Sequence, residues 1–244
     1  RIRQKFNAIP AISDIGKEIN EQLNELDIGS KIKPNESVAI TAGSRGIANI
    51  DTIIRSIVSE VKNIGARPFI VPAMGSHGNA TAEGQKEILK HYGITEQTMD
   101  CPIKSSMDTE IIGETSDGFP VFLDKNAYMA DHIIVVNRIK RHTDFNGKIE
   151  SGLVKMMAIG LGKRDGAGMY HKAALKYGFE RVLREVADVV INSGKVAFGI
   201  GIVENPYEKT ALISAIPTET LIENEENLQE KAKEALFLLE KLKR

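Results

Sequence analysis

The sequence predicts an α/β fold, a mostly parallel twisted sheet flanked by helices and carrying one β-hairpin. Three observations predict it. "SVAIT" (Ser37 to Thr41) is a short apolar run, followed by the polar loop "GSRGIAN" and then by Ile50, Ile53, Ile54, Ile57, Val58, Val61 and Ile64 at helical spacing. "PFIVPA" (Pro68 to Ala73) repeats the pattern, with the loop "MGSHGNAT" and a helix from about Ala82 to His91. Strand, loop and helix in alternation are what parallel pairing requires, because each crossover must bring the chain back to the same end of the sheet. The third observation is "TSDG" between "TEIIGE" and "FPVFL", where Asp-Gly favours a tight turn and so a hairpin over Thr109 to Leu123.

The other elements follow in order. Ile12, Ile15, Ile19, Leu23 and Leu26 recur at three- and four-residue intervals, which predicts an amphipathic helix from near Ser13. "HIIVVN" (His132 to Asn137) reads as a buried strand, helices resume near Gly168 and Glu180, and "KVAFGIGIV" and "ALISAI" read as two late strands. "NLQEKAKEALFLLEKL" is a charged amphipathic helix. There is no internal repeat and no low-complexity linker.

With 244 residues, 42% of them hydrophobic, the chain can bury a sizeable core. Its 32 basic and 33 acidic residues nearly cancel, so no global field points to nucleic acid or to an anionic membrane surface. A single cysteine, Cys101, excludes an internal disulfide and argues against a thiolate zinc site. No apolar run approaches the ~20 residues of a membrane helix, and a cytoplasmic location is expected.

In open α/β sheets ligands gather at the carboxyl ends of parallel strands, where loops converge. Three predicted strands end in polar, glycine-bearing loops, Gly43 to Ala48, Gly75 to Thr81 and Arg138 to Gly152. With the segment just beyond, they carry Arg45, His77, Arg138, His142, Lys148 and Lys155, a set of donors and of groups that titrate near neutrality. His77 stands between Ser76 and Gly78, so its backbone is open to an approaching ligand, whereas His91 and His132 read as structural. "GLGKRDGAG" (Gly160 to Gly168) invites a dinucleotide reading, but its spacing is not GxGxxG and no clear strand feeds it. His77, His142 and His171 together could bind zinc, though they come from distant segments without a ligand spacing of their own.

These residues resemble the nickel-pincer-dependent lactate racemase family. "SGLVKMMAIG" (Ser151 to Gly160) is similar to the family's Ser-Gly-x-x-Lys-Met segment, and His171 follows Lys155 by the family's sixteen residues. "GSHGNAT" and "RHTDFNG" resemble the loops that carry two catalytic histidines, and "GSRGI" resembles an early loop with a functional arginine. The resemblance runs from about Val38 to Glu204.

It implies a racemase or epimerase of a 2-hydroxy acid with His77 and His142 as acid and base. Lys155 would hold a nickel pincer nucleotide covalently, a pyridinium-3-thioamide-5-thiocarboxylic acid mononucleotide, and His171 would ligate its nickel. Two sulfurs, a ring carbon and one imidazole make a soft, square-planar set suited to that metal. Ser44 and Arg45 would contact the cofactor, with Arg45 equally suited to the substrate carboxylate. Lys148 is the alternative attachment point. The implied partners are a 2-hydroxy acid and the enzymes that make the cofactor, with homo-oligomerisation left open. The implied organisation is a cofactor-binding α/β domain over 1–217, with 218–244 as a helical connection toward a second domain that this sequence does not contain. The competing readings are a non-catalytic module binding the cofactor or a phosphorylated metabolite, and an NAD-type oxidoreductase.

Overall fold

The computed structural model describes residues 9–142 and 146–237. From its start the order is α1 (Ile15–Glu25), α2 (Ile28–Lys31), β1 (Ser37–Ala42), α3 (Ile50–Asn63), β2 (Arg67–Pro72), α4 (Ala82–His91) and α5 (Glu96–Met99). A hairpin of β3 (Thr109–Glu114) and β4 (Pro120–Asp124) and the short α6 (Lys125–Tyr128) lead into β5 (His132–Arg138). Then come α7 (Leu153–Lys155), a π turn over Met156–Gly160, α8 (Lys163–Tyr177), α9 (Phe179–Asn192), β6 (Val196–Glu204), β7 (Thr210–Pro217) and α10 (Leu221–Phe237).

Five strands form one sheet in the order β2-β1-β5-β6-β7, parallel except for the last pair, and β3 with β4 forms a separate antiparallel hairpin. The predicted α/β class is the observed one. Alternation along the strands divides the interior in two. Val38, Ile40 and Ile70 face one way and pack with α1 and α3, while Ala39, Phe69 and Val71 face the hairpin and α7 to α9. Helices thus cover both faces, as a parallel sheet requires.

Capping fixes the helix starts. Asp14 accepts the Lys17 N–H at 3.0 Å to begin α1, and Thr81 accepts the Gly84 N–H at 3.0 Å to begin α4. Two helices start earlier than their sequence suggests. α8 begins at Lys163 because Gly166, which reads as a helix breaker, is there to make room: a Cβ on it would come 2.8 Å from the ring of buried Tyr170. α10 begins at Leu221 because the acidic "ENEE" stretch includes a buried residue, Glu225. Leu221, Leu228 and Ala232 belong to the core, and α10 lies on β6, where a Cβ on Gly201 would meet Leu228 at 2.9 Å. The far end of the predicted last helix lies outside the described residues.

Candidate functional site

A cleft of about 430 Å³ opens at the carboxyl ends of β1, β2 and β5. The place follows from topology, since β2 and β5 lie on opposite sides of β1 and the chains leaving these strands diverge there. Ser44, Arg45, His77, His142, Lys155 and His171 all line it, whereas Lys148 does not. Lys148 is exposed and pairs with Glu226 at 3.8 Å. Thr143, Asp144 and Phe145, in the middle of the third loop, lie outside the described residues.

The loop after β2 is held from below. Gly75 has a left-handed φ of 57°, and its N–H donates to the Gly160 carbonyl at 3.1 Å. Gln85, fully buried on α4, donates from Nε2 to the carbonyls of Gly75 at 3.0 Å and His77 at 3.2 Å. Its Oε1 accepts from Lys163 at 3.0 Å, and that buried ammonium also reaches the Pro72 carbonyl at 2.5 Å and Asp124 at 2.9 Å. A chain of buried polar contacts therefore runs from Asp124 through Lys163 and Gln85 to the backbone of His77. On the cleft side, His77 Nδ1 hydrogen-bonds the Ser44 hydroxyl, and Tyr92 braces the same loop by donating to the Ser44 carbonyl at 3.1 Å. Burial first, then the charges of Arg45 and Lys155, hold the His77 imidazole below its ordinary pKa. Near neutrality it is an uncharged base.

The other three candidates surround one aromatic ring. The centroid of Phe179, on the first turn of α9, is 5.6 Å from the Lys155 ammonium, 5.7 Å from the His171 ring and 6.1 Å from the His142 ring. The ammonium is at cation–π range. Lys155 reaches the cleft from the short α7, not from a loop. His171 Nδ1 must donate to the Ala167 carbonyl at 2.6 Å, since a carbonyl can only accept, which orients the ring and leaves Nε2 as the nitrogen not committed to that bond. The His142 N–H donates to buried Glu150 at 2.7 Å.

Sequence reading passed over Lys140 and Arg141, which also line the cleft, and singled out Arg138 only as one of several donors. Arg138 is ion-paired with Glu204, which also accepts the Ala48 N–H at 2.7 Å and so ties the β1 loop to the end of β6. Lys140 has its pKa lowered by burial and then by the charges of Arg138 and Arg45. Five cationic side chains and no carboxylate line the cleft among the described residues, so the lining is positive on balance even with Arg138 paired to a carboxylate from outside it, Glu204. His132 pairs with Glu36 at 2.8 Å, away from the cleft, as a structural histidine. The glycine-rich Gly160 to Gly168 stretch leads from a π turn into α8 with Leu161, Gly162 and Lys163 buried, so it offers no phosphate loop.

The model of the lactate racemase N-terminal domain matches residues 4–180, well over half of the sequence. The chain belongs to that family. Among solved structures, the lactate racemase apoprotein from Thermoanaerobacterium thermosaccharolyticum superimposes with a TM-score of 0.63 at 15% identity, over 89% of this chain and 55% of that one. At that identity the likeness speaks for the fold, and this chain spans about half the length of that protein. A putative enoyl reductase domain of a polyketide synthase aligns over 75% of this chain and 96% of its own at 15% identity, with a TM-score of 0.24 that carries no weight. No curated protein matches the sequence. Among the described residues no helix is long and apolar enough to cross a membrane.

The family implies a nickel pincer nucleotide, and the cleft's donors fit it. Among the described residues no three His, Cys, Asp or Glu side chains stand together as a metal cage, so the three cleft histidines do not make a zinc site. A single oriented imidazole, that of His171, suits a metal whose remaining donors arrive with an organic ligand. The cationic lining suits that ligand's phosphate.

Proposed function

We propose that this domain serves a racemase or epimerase of a 2-hydroxy acid, with a nickel pincer nucleotide attached to Lys155 and its nickel ligated by His171. One observation carries the reading: Lys155, His171, His77 and His142 come from separate segments and line one cleft rich in cations. When bound, the cofactor would supply a hydride acceptor that the twenty side chains lack.

The chain's own residues bind, orient and move protons. Arg45 and Lys140 pair with the anionic groups of substrate and cofactor, and Arg45 suits either a carboxylate or a phosphate. His77 takes the proton of the substrate hydroxyl on Nε2, its Nδ1 being engaged by Ser44. Its depressed pKa keeps it competent as a base at neutral pH. His142 serves the opposite face, where an imidazole is needed for the reverse direction of a reversible reaction. A cytoplasmic location and dependence on cofactor-making enzymes belong to the same reading.

The test is co-expression with those enzymes, followed by intact mass and metal analysis. Lys155→Ala should carry no adduct, and His171→Ala should keep the adduct and lose nickel. An unchanged adduct in Lys155→Ala would sink the attachment and direct attention to Lys148. The cationic cleft also supports a second reading, a module that binds the cofactor or a phosphorylated metabolite without chemistry. Alanine variants of His77 and His142 separate the two, because a binding module would load normally and show no turnover to lose. Among the described residues the NAD-type alternative finds no phosphate loop in the glycine-rich Gly160 to Gly168 stretch, and a nucleotide released on denaturation would be its signature.

A further inference from the structure

We propose that Glu225 is a positioning residue for Lys155, a buried carboxyl group delivered by α10 that sets the helical turn presenting the lysine to the cleft. Glu225 is fully buried. Its Oε2 accepts the Val154 N–H at 2.8 Å, so an N–H group in the first turn of α7 ends on this side chain, while its buried Oε1 has no hydrogen-bond partner among the described residues and lies over Gly152. Lys155 directly follows Val154. A helix's first N–H groups have no partner within the helix, and a fixed acceptor on one of them sets where the turn begins and which way its side chains point.

Gly152 shows that the contact shapes the sequence. Its φ of −178° is ordinary extended backbone, so conformational freedom does not require glycine there. Space does, since a Cβ would stand 2.2 Å from Glu225 Oε1. The glycine of "SGLVK" is thus the seat of a carboxyl group some seventy residues further on. The same helix holds the neighbouring loop. Lys233, eight residues beyond Glu225 and so about two turns along α10, donates to the Gly147 carbonyl at 2.6 Å and pairs at 3.1 Å with buried Glu150, the acceptor of the His142 N–H. α10 therefore grips both ends of the segment from His142 to Lys155.

The inference rests on the proposed function only for what Lys155 is used for, and its test needs no cofactor. Each lysine of this chain is acetylated with sulfo-N-hydroxysuccinimide acetate, and rates are read by peptide mass spectrometry, with exposed Lys17 and Lys90 as internal references. In Glu225→Ala the freed turn should let the Lys155 ammonium leave the Phe179 ring, raising its rate about fivefold against the references, the size of a lost cap. Glu225→Gln, which keeps a carbonyl acceptor, should return most of the way to the wild-type rate. Gly152→Ala should reproduce the Glu225→Ala effect in the wild type and add nothing in the Glu225→Ala background. A Lys155 rate within about 1.5-fold of wild type in a folded Glu225→Ala protein overturns the proposal, as does a rise shared equally by Lys17 and Lys90. If Glu225→Ala does not fold, an unchanged Lys155 rate in Gly152→Ala overturns it. A missing cofactor adduct, by contrast, would touch only the proposed function.

Discussion

Replacing Lys163 with methionine tests how the His77 loop is supported. The side chain is fully buried, and its ammonium meets Asp124 at 2.9 Å, the Gln85 Oε1 at 3.0 Å and the Pro72 carbonyl at 2.5 Å. Lys163 also holds a left-handed φ of 53°, a conformation that costs a non-glycine residue about 1 kcal/mol. The ammonium's contacts with Asp124, Gln85 and the Pro72 carbonyl offset that cost. Methionine keeps the stem's volume but leaves Asp124 buried without its countercharge. Breaking a buried pair from one side costs about 3–5 kcal/mol. For a domain of this length each kcal/mol lowers Tm by roughly 2–4 °C, so a fall of about 6–20 °C is expected. The assay is chemical denaturation of wild type, Lys163→Met and Lys163→Met/Asp124→Leu, together with calorimetry. The double variant should recover most of the loss, because it removes both charges. A single variant within about 1 kcal/mol of wild type would refute the reasoning, since losses above that size are the rule for an uncompensated buried charge.

Four further outcomes are expected. The His77 ring should titrate below 6.5 by NMR and move upward in Arg45→Ala; its folded-state contribution is present above the unfolded pKa and lost as pH falls through the depressed value, and titration at or above 6.5 in the wild type would contradict this. The Glu225 carboxyl, pushed up to about 8 mainly by burial, contributes stability that is full below 4.5 and lost as pH rises through 8, so the pH profile of unfolding should flatten over that window in Glu225→Gln. Gly84→Ala should destabilise by about 1–3 kcal/mol in urea, because its Cβ would lie 2.0 Å from the Gly78 carbonyl oxygen where α4 meets the His77 loop. Lys155→Ala should abolish the mass adduct on co-expression, as set out above.

Elements whose burial is periodic were legible in the sequence. β1, α3, β2 and α4 fall where the apolar runs and their loops place them, within a residue or two at each end, because a helix buried on one face and a strand buried on both leave distinct spacings. The start of α8 was not legible. Gly166 and Gly168 look like a loop, and only the ring of Tyr170 lying against Gly166 shows why a glycine belongs inside that helix. The site divides in the same way. Loops after parallel strands can be named from sequence, and Ser44, Arg45, His77 and His142 come from them. Phe179 could not be found so, since an aromatic at a helix start is an ordinary core residue until Lys155, His171 and His142 are seen around it.

The support beneath those residues was the least legible part, for a physical reason. A positioning contact needs one polar group at one distance, and it leaves no periodicity behind. Gln85 reads as a polar residue on an exposed helix, Lys163 as part of a glycine-rich turn and Glu225 as one of five acids between Glu219 and Glu230. Each is fully buried. Burying such groups is costly, and the hydrogen bonds they do make each hold a backbone segment: Gln85 the His77 turn, Lys163 the end of β2, Glu225 the start of α7. All three segments carry or adjoin residues of the cleft. These three buried polar groups thus sit where geometry must be held, and a search for polar and ionisable side chains at full burial finds each of them even when the cleft's chemistry is set aside.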